Sequence, residues 1–457
     1  MAGIGFELRK ILKEDKLLSI AKVYSYSAFL SSGPWVISII AIILIGFINL
    51  ANFTNLNEVA KFQIVITYAI ALASSLVITG LLQLPFTRYV ADLIFNHKED
   101  EILPTYFGAI LLAWLFGLPF MVPLVFWVFE GLNFLFLIGV ISTFLVLCAV
   151  WISSILASSL KYYKSVVFSY LISYTIIVFL SYAIGSNVTT LIYIFLFGNT
   201  LLLTSLMALI IKSYRSDEMF SFKFVKAKNF YWTLGIAGLT YNLGSWADKF
   251  IFWYHPLTGQ AVVGKLHASI VYDMPIFLAY LSILPGMAVF FYRLEADFAE
   301  KYNLYYDAVR EGGTLGLIKR YKNEMIMVIR HAVHEIIIIQ GIVTTFLFLT
   351  VDNIFKFLHI PQLYTGLLFI LTIGAVLQLA FMSILAILYY LDRKQVAMWL
   401  CVAFFILNVV LTLISIDLGP AMYGYGYTFS LLLVFTASLI ITRNELDRLD
   451  YETFMLQ

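Results

Sequence analysis

Asp248 and Lys249, in the stretch G-S-W-A-D-K-F-I-F-W-Y, are adjacent ionisable residues flanked on both sides by apolar and aromatic ones. At the centre of a membrane helix each would cost ~2.5–3.5 kcal/mol to insert. They are therefore expected to face a wet cavity, or to snorkel at the outer interface if the helix ends early. Residues one apart do not share a helix face, which predicts a separate partner for each. A second acid, Asp273 in V-Y-D-M-P, falls in the next apolar stretch with Pro275 just behind it. Proline weakens the backbone ladder and is tolerated where a cavity or a neighbouring helix satisfies the freed carbonyls. An acid so placed could hold a proton, a sodium ion or a sugar hydroxyl, or equally make a helix-to-helix hydrogen bond.

The first apolar run contains S-S-G-P-W, that is Ser31, Ser32, Gly33, Pro34 and Trp35. Gly-Pro in a membrane helix marks a kink whose loose carbonyls neighbouring serines can cap. Gly235, Gly238 and Gly244 fall in the stretch that carries Trp246 and the Asp248–Lys249 pair. Interrupted helices at corresponding places in two halves of a chain are the best sequence pointer to a transport site. Most Tyr and Trp residues belong to interfacial belts; Trp35 and Trp246 are kept as cavity candidates beside the break and the charged pair. Arg88 with Asp92, and Arg293 with Glu295 or Asp297, are spaced to pair at the mouth of such a passage, or to anchor on lipid headgroups.

Other chemistries find little support. Arg330, His331, His334 and Glu335 share a helix face, yet no further ligand is evident and the group sits where basic interface anchors belong. Neither a metal nor a cofactor is expected. Cys148 and Cys401 lie inside apolar segments without metal or redox spacing, and no P-loop, G-x-S-x-G or H-E-x-x-H motif occurs. The sequons at Asn52 and Asn187 carry no weight without a eukaryotic secretory context.

The elements that must position these residues are membrane helices. The 457 residues are 62% hydrophobic and only 12% charged, with mean hydropathy +0.92, where soluble domains carry about 25% charge. Met1 to Lys22 has interleaved charges and no apolar core of a signal peptide, so the first apolar run is expected to stay. Windows of ~19 residues predict twelve spans: 24–50, 62–85, 104–129, 132–157, 165–185, 189–211, 230–254, 267–292, 326–351, 361–391, 396–416 and 420–441. In that topology 25 of the 29 Lys and Arg fall on the side of the termini, which the positive-inside rule makes cytoplasmic. The opposite side has only Lys61, Lys265 and Lys356, and Lys249 lies within a span.

A faint repeat divides the chain. R-Y-V-A-D ends the second span and R-L-E-A-D the eighth, 205 residues apart, and Gly33 maps to Gly238 at the same offset. Two parallel six-helix lobes follow, with a substrate site between them. The expected order is an amphipathic helix on the cytoplasmic leaflet over 1–22, an amino-terminal lobe over 23–211, a basic linker over 212–229, a second lobe over 230–441, and a tail over 442–457. The second lobe carries an extra polar segment, 298–324, whose glycines Gly312, Gly313 and Gly316 should break any long helix. It is either a solvated interfacial segment or a partner-docking element. Nothing points to nucleic acid, while scattered basic residues favour anionic lipids.

Several stretches resemble the PelG family of exopolysaccharide exporters: M-A-G-I-G-F-E-L-R-K-I-L, Y-S-Y-S-A-F-L-S-S-G-P-W-V, W-A-D-K-F-I-F-W-Y, and Y-D-M-P-I-F-L-A-Y-L-S-I-L-P-G followed by F-Y-R-L-E-A-D-F. That family is similar to Wzx flippases of the multidrug/oligosaccharidyl-lipid/polysaccharide (MOP) superfamily. The resemblance implies a fold of twelve transmembrane helices in two six-helix lobes around a central cavity. It also implies a polysaccharide substrate rich in N-acetylgalactosamine, a place in the bacterial inner membrane, and the partners PelD, PelE and a PelF-like glycosyltransferase. A small-molecule or lipid-linked oligosaccharide antiporter on the same fold is the nearest alternative. A membrane-embedded glycosyltransferase is disfavoured, because the outward loops are short and carry no acidic pair for a metal and a sugar donor.

Overall fold

The computed structural model describes residues 37–38, 40–42, 44–46, 56–66, 72–158, 163–226, 231–358 and 361–455. Almost all of them are helical. In chain order the helices are α1 (Leu56–Ile64), α2 (Leu72–Phe95), α3 (Ile102–Val128), α4 (Phe134–Ser158), α5 (Tyr163–Ile184), α6 (Val188–Ser213) and α7 (Trp232–Tyr254). A hairpin of β1 (Gln260–Val263) and β2 (Leu266–Ala268) comes next. Then follow α8 (Ile270–Ser282), α9 (Leu284–Tyr292), α10 (Ala299–Arg310), α11 (Leu315–Leu358), α12 (Thr365–Tyr390), α13 (Lys394–Asp417) and α14 (Tyr425–Met455). The chain separates into two compact units, one of Gly33–Ser269 and one that holds Ile270–Gln457.

Local chemistry sets the boundaries. Asn187 precedes α6 in an extended conformation and its side-chain oxygen accepts from the Thr190 amide at 2.9 Å, an N-cap that satisfies an orphan donor. Gly185 follows α5 and closes it with a bond from its amide to the Ser181 carbonyl (3.1 Å). Inside the first unit α4 and α6 are close neighbours, and Phe62, Phe195 and Tyr174 meet edge to face at 6.2–6.3 Å in its core. Buried hydroxyls bond to other side chains: Tyr106 with the Ser153 hydroxyl (2.7 Å), and Tyr174 donating to the Asn199 amide oxygen (3.3 Å).

Nine helical runs among the described residues are long and apolar enough to cross a membrane: Glu99–Val128, Phe134–Ser158, Lys164–Ile184, Val188–Ser213, Ile270–Arg310, Leu315–Lys356, Gln362–Tyr390, Lys394–Asp417 and Pro420–Tyr451. They correspond to nine of the twelve predicted spans. Helices α2 and α7 are not among them, although they fall on the second and seventh. Both interrupt their apolar residues with polar ones, and they pack against each other within the first unit. The contact runs through glycine: a Cβ on Gly238 would sit 2.3 Å from the Gly80 carbonyl oxygen, and one on Gly235 would sit 2.9 Å from that of Leu81. Only residues without a side chain permit such a backbone approach.

Two expectations change. Of the predicted second span, 62–85, residues 67–71 lie outside the described residues, with α1 at its start and α2 running past its end to Phe95. The loop before Ile270 holds an antiparallel hairpin, with Gln260 opposite Ala268 and Ala261 opposite His267. Its Gly264 has φ +57° and packs against Val128 at the end of α3, where the Lys265 amide donates to the Val128 carbonyl (2.7 Å). Short strands separated by two residues carry too little periodicity to stand out in a sequence. Segment 298–324 is broken at its glycines as expected, but helical on both sides of the break. Of the three, only Gly312 has positive φ (+70°), which makes the turn between α10 and α11, while Gly316 lies inside α11.

In the second unit, α10 and the start of α11 form a helical hairpin clasped by the end of α14. Lys301 and Arg320 both reach Glu324 (2.9 Å each), Lys322 meets Asp450 (2.9 Å), and the Tyr305 hydroxyl donates to Asp450 (3.2 Å). The expected tail is therefore a continuation of the last helix, held to the extra segment. The basic linker is likewise tethered: the Ser221 amide donates to the Pro104 carbonyl (3.0 Å) and Lys223 pairs with Glu101 (3.1 Å). That hydrogen bond raises the Lys223 pKa.

Candidate transport site and family

Helix α2 presents Ser75, Thr79, Gln83 and Thr87 at intervals of four, one stripe down one side of a helix. They hydrogen-bond in sequence. Thr79 Oγ1 donates to the Ser75 carbonyl (2.7 Å), Gln83 Nε2 to Thr79 Oγ1 (3.0 Å), and Thr87 Oγ1 to the Gln83 carbonyl (2.7 Å). Trp151 of α4 donates its indole N–H to Ser75 Oγ (3.0 Å), and Asn242 of α7 donates to the Leu76 carbonyl (2.8 Å). The two helices thus share a polar seam, in which each hydrogen bond made removes a desolvation penalty of ~1–3 kcal/mol. The four-residue period of hydroxyl and amide side chains was the sequence signal for it.

One turn further along α7 are Asp248 and Lys249, with side chains 0% and 2% exposed. They do not snorkel to an outer surface. Lys249 curls back so that Nζ lies 3.3 Å from both carboxylate oxygens of Asp248, a pairing that face geometry alone did not predict, and it also donates to the Ser245 carbonyl at 2.8 Å. A four-carbon stem outreaches the 100° that separates successive helical positions. Trp246 adds its ring, 5.6 Å from Nζ, within the range of a cation–π contact. Trp246, Phe250 and Trp253 follow one another along the helix with centroids 5.1–6.5 Å apart. Phe250 also lines a cavity of about 270 Å³ with Ser74, Val77, Ile78, Phe120 and Leu243. Gly244 is buried in the same helix.

Arg88 pairs with Asp92 (3.4 Å) at the far end of α2, as the spacing predicted. The sequence did not reveal that the Tyr231 hydroxyl donates to Asp92 while Arg88 lies 5.9 Å from that ring. These residues all belong to the first unit.

The remaining candidates lie in the second unit. Asp273 is buried in the first turn of α8, where an acid is favoured by the helix dipole, and Pro275 is buried just after it. The helix breaks at Ile283, and Gln340 of α11 donates to the freed Ser282 carbonyl (2.8 Å). After α9 the backbone makes a π-helical turn over Arg293–Phe298, an irregularity that recurs at functional sites. Arg293 stands at its start and binds Asp297 and also Glu335 of α11. Glu335, grouped by sequence with a potential metal cluster, is thus engaged by an arginine. No group of three or more metal-ligating side chains occurs among the described residues. The side chain of Glu295, the residues Ser31, Ser32, Gly33, Pro34 and Trp35, and the amphipathic segment 1–22 lie outside the described residues.

The sequence profile of the PelG family, described as "Putative exopolysaccharide Exporter (EPS-E)", matches residues 1–454. The chain belongs to the PelG family. No curated protein matches it in sequence. Solved structures with a similar fold are multi-helix transporters. One is a multidrug resistance MATE family transporter of the MOP superfamily in an outward-facing conformation. It matches with TM-score 0.68 and 12% identity over 94% of this chain and 96% of that one. A MOP superfamily transporter from Pyrococcus furiosus Vc1 gives TM-score 0.64 and 12% identity over 94% and 96%. An inward-facing MATE family transporter gives 0.58 and 13% over 94% and 95%. At such identities the likeness establishes the fold alone. This PelG family member is a multi-pass membrane protein of transporter type.

Proposed function

We propose that the chain moves a Pel-type polysaccharide, rich in N-acetylgalactosamine, across the bacterial inner membrane. Twelve helices in two six-helix lobes would enclose the passage, with both termini cytoplasmic. The observation that carries this reading is an ion pair buried to 0% and 2% exposure within a long, largely apolar helix, in a chain matched along its length by an exporter family. Buried ion pairs are weak contributors to stability, because desolvation offsets most of their attraction. Ionisable residues within membrane helices mark transport pathways by default. In this reading Asp248 and Lys249 bind hydroxyl or amide groups of passing sugars or hold a coupling proton. Trp246, Trp35, Ser31, Ser32 and Asp273 line the same route, Gly33, Pro34, Gly244 and Pro275 allow its helices to bend, and Arg88, Asp92, Arg293, Glu295 and Asp297 form its cytoplasmic mouth.

The hairpin 298–324, present in one half only, would dock the PelF-like glycosyltransferase, with PelD and PelE completing a synthase complex. Replacing it by a flexible linker is expected to weaken copurification of the glycosyltransferase and to lower export. The transport reading itself is tested by deletion. Cells lacking the chain should cease to release the polymer while the glycosyltransferase stays active in extracts, and restoring the chain should restore release. A second reading, a drug or lipid-linked oligosaccharide antiporter, draws on the MATE-like fold. Unaltered polymer release together with heightened drug sensitivity in the deletion strain would favour it and overturn ours.

A further inference from the structure

Helix α11 has 44 residues, about 66 Å at 1.5 Å per residue, more than twice the ~30 Å of a bilayer's hydrocarbon. Its outward face changes character along its length. Ile337, Ile338, Ile342, Phe346 and Leu349 are 48–79% exposed, which only lipid can accommodate along one continuous face. One turn towards the helix start, the same face carries Arg330, His331 and His334, all exposed. Arg330, His334 and Ile337 follow at four and three residues, and His331, His334 and Ile338 at three and four, so the basic group and the apolar face are one surface. The opposite face of that turn, with Val328, Ile329, Ala332 and Val333, is turned towards Phe290 and Leu294 in the unit's interior.

The surrounding cations are committed to acids of this unit. Arg293 takes Asp297 and Glu335, Lys301 and Arg320 take Glu324, Lys322 takes Asp450, and Arg393 takes Glu445. Among the described residues no hydrogen bond or ion pair engages Arg330, His331 or His334, and the nearest acid on the helix, Glu335, is held by Arg293. Arginine is permanently charged and presents a planar fork suited to phosphate. A neutral imidazole still offers one N–H donor. Three donors with no acid partner, set where an apolar face ends, are complementary to an anionic headgroup whose acyl chains lie along Ile337, Ile338 and Ile342.

We propose that Arg330, His331 and His334 form a binding site for the phosphate of an anionic phospholipid at the edge of the exposed apolar face of α11. The site is separate from the Asp248–Lys249 region and needs only that the chain spans a membrane. A protein with an acidic surface is the other occupant to test. The apolar stripe that continues the cluster favours lipid, because a soluble partner would leave that stripe uncovered.

The test uses the purified full-length protein in a neutral detergent. Phosphatidylglycerol should raise its Tm more than phosphatidylcholine does, and Arg330→Gln with His331→Gln and His334→Gln should remove most of that difference while leaving the Tm without added lipid unchanged. If the triple variant does not fold, Arg330→Gln alone should remove part of it. Control substitutions Lys319→Gln and Arg448→Gln, at exposed positions elsewhere, should retain it. The proposal is overturned if the triple variant keeps the full response, if phosphatidylcholine serves equally, or if the controls lose as much. It is likewise overturned if inorganic phosphate alone reproduces the shift, or if the variant keeps its lipid response and loses a copurifying acidic protein.

Discussion

Two charged groups of this molecule are built in opposite ways. In the first unit Asp248 and Lys249 are chain neighbours, buried to 0% and 2% exposure on one helix. In the second, Arg293 gathers Asp297 from its own π-helical turn and Glu335 from a different helix, and its side chain is 30% exposed. The Arg293 group joins two helices and stays partly hydrated, so its desolvation cost is smaller than that of a fully buried pair. The neighbouring pair has lost nearly all its water, the circumstance in which an ion pair stabilises least and in which losing one member costs most. Charge that staples helices and charge kept for what passes through them should therefore respond differently to substitution.

The largest effect should come from breaking the buried pair. Lys249→Met removes the cation nearest the buried Asp248 carboxylate and should destabilise by ~3–5 kcal/mol, read as a sharply lower Tm in detergent. Adding Asp248→Asn should restore most of that loss. A double variant no more stable than the single one would break the comparison.

Arg293→Gln should cost about 1–3 kcal/mol, between the values for buried and surface pairs. No second neutralisation of a single acid should rescue it, because two carboxylates are left together. Full rescue by Asp297→Asn would show that Glu335 is not a real partner.

Arg88→Gln should cost only ~0.2–1 kcal/mol, since Arg88 and Asp92 are 40% and 33% exposed. Arg88 and Arg293 open the same repeated motif, 205 residues apart. A loss at Arg88 as large as at Arg293 would show that repeat position, rather than burial and partner number, sets the energetics.

The smallest effect concerns the exposed pair of Glu130 and Lys265, 2.8 Å apart. Its hydrogen bond to Lys265 holds the Glu130 carboxyl below the ordinary value. A depressed pKa contributes stability above the unfolded value that is lost as pH falls through the folded one. Glu130→Gln should therefore flatten the acid limb of Tm against pH slightly. An unchanged limb would make the pair energetically silent.

Much of the helical scaffold was legible because the bilayer imposes a long apolar run on every span, and α3, α4, α5, α6 and α13 begin and end within about two residues of the predicted windows. The partners in the two R-x-x-x-D motifs were legible because four residues make one turn. Tyr231 and Glu335 were not, because contacts 139 and 42 residues apart leave no local pattern. Pairing between Asp248 and Lys249 was missed because helix-face geometry considers where Cβ points and ignores how far a lysine reaches. The seam of Ser75, Thr79, Gln83 and Thr87 could have been read from its spacing. The hairpin over 298–324 was obscured by glycines, of which only Gly312 needs its conformational freedom.

The account's central claim is that Asp248 and Lys249 serve export rather than folding. The measurement that tests it most directly is polysaccharide released by cells carrying the Asp248→Asn, Lys249→Met double variant, normalised to the amount of the protein in the membrane. The account predicts near-normal membrane levels and a loss of most released polymer, whereas release equal to that of the parent protein would contradict it.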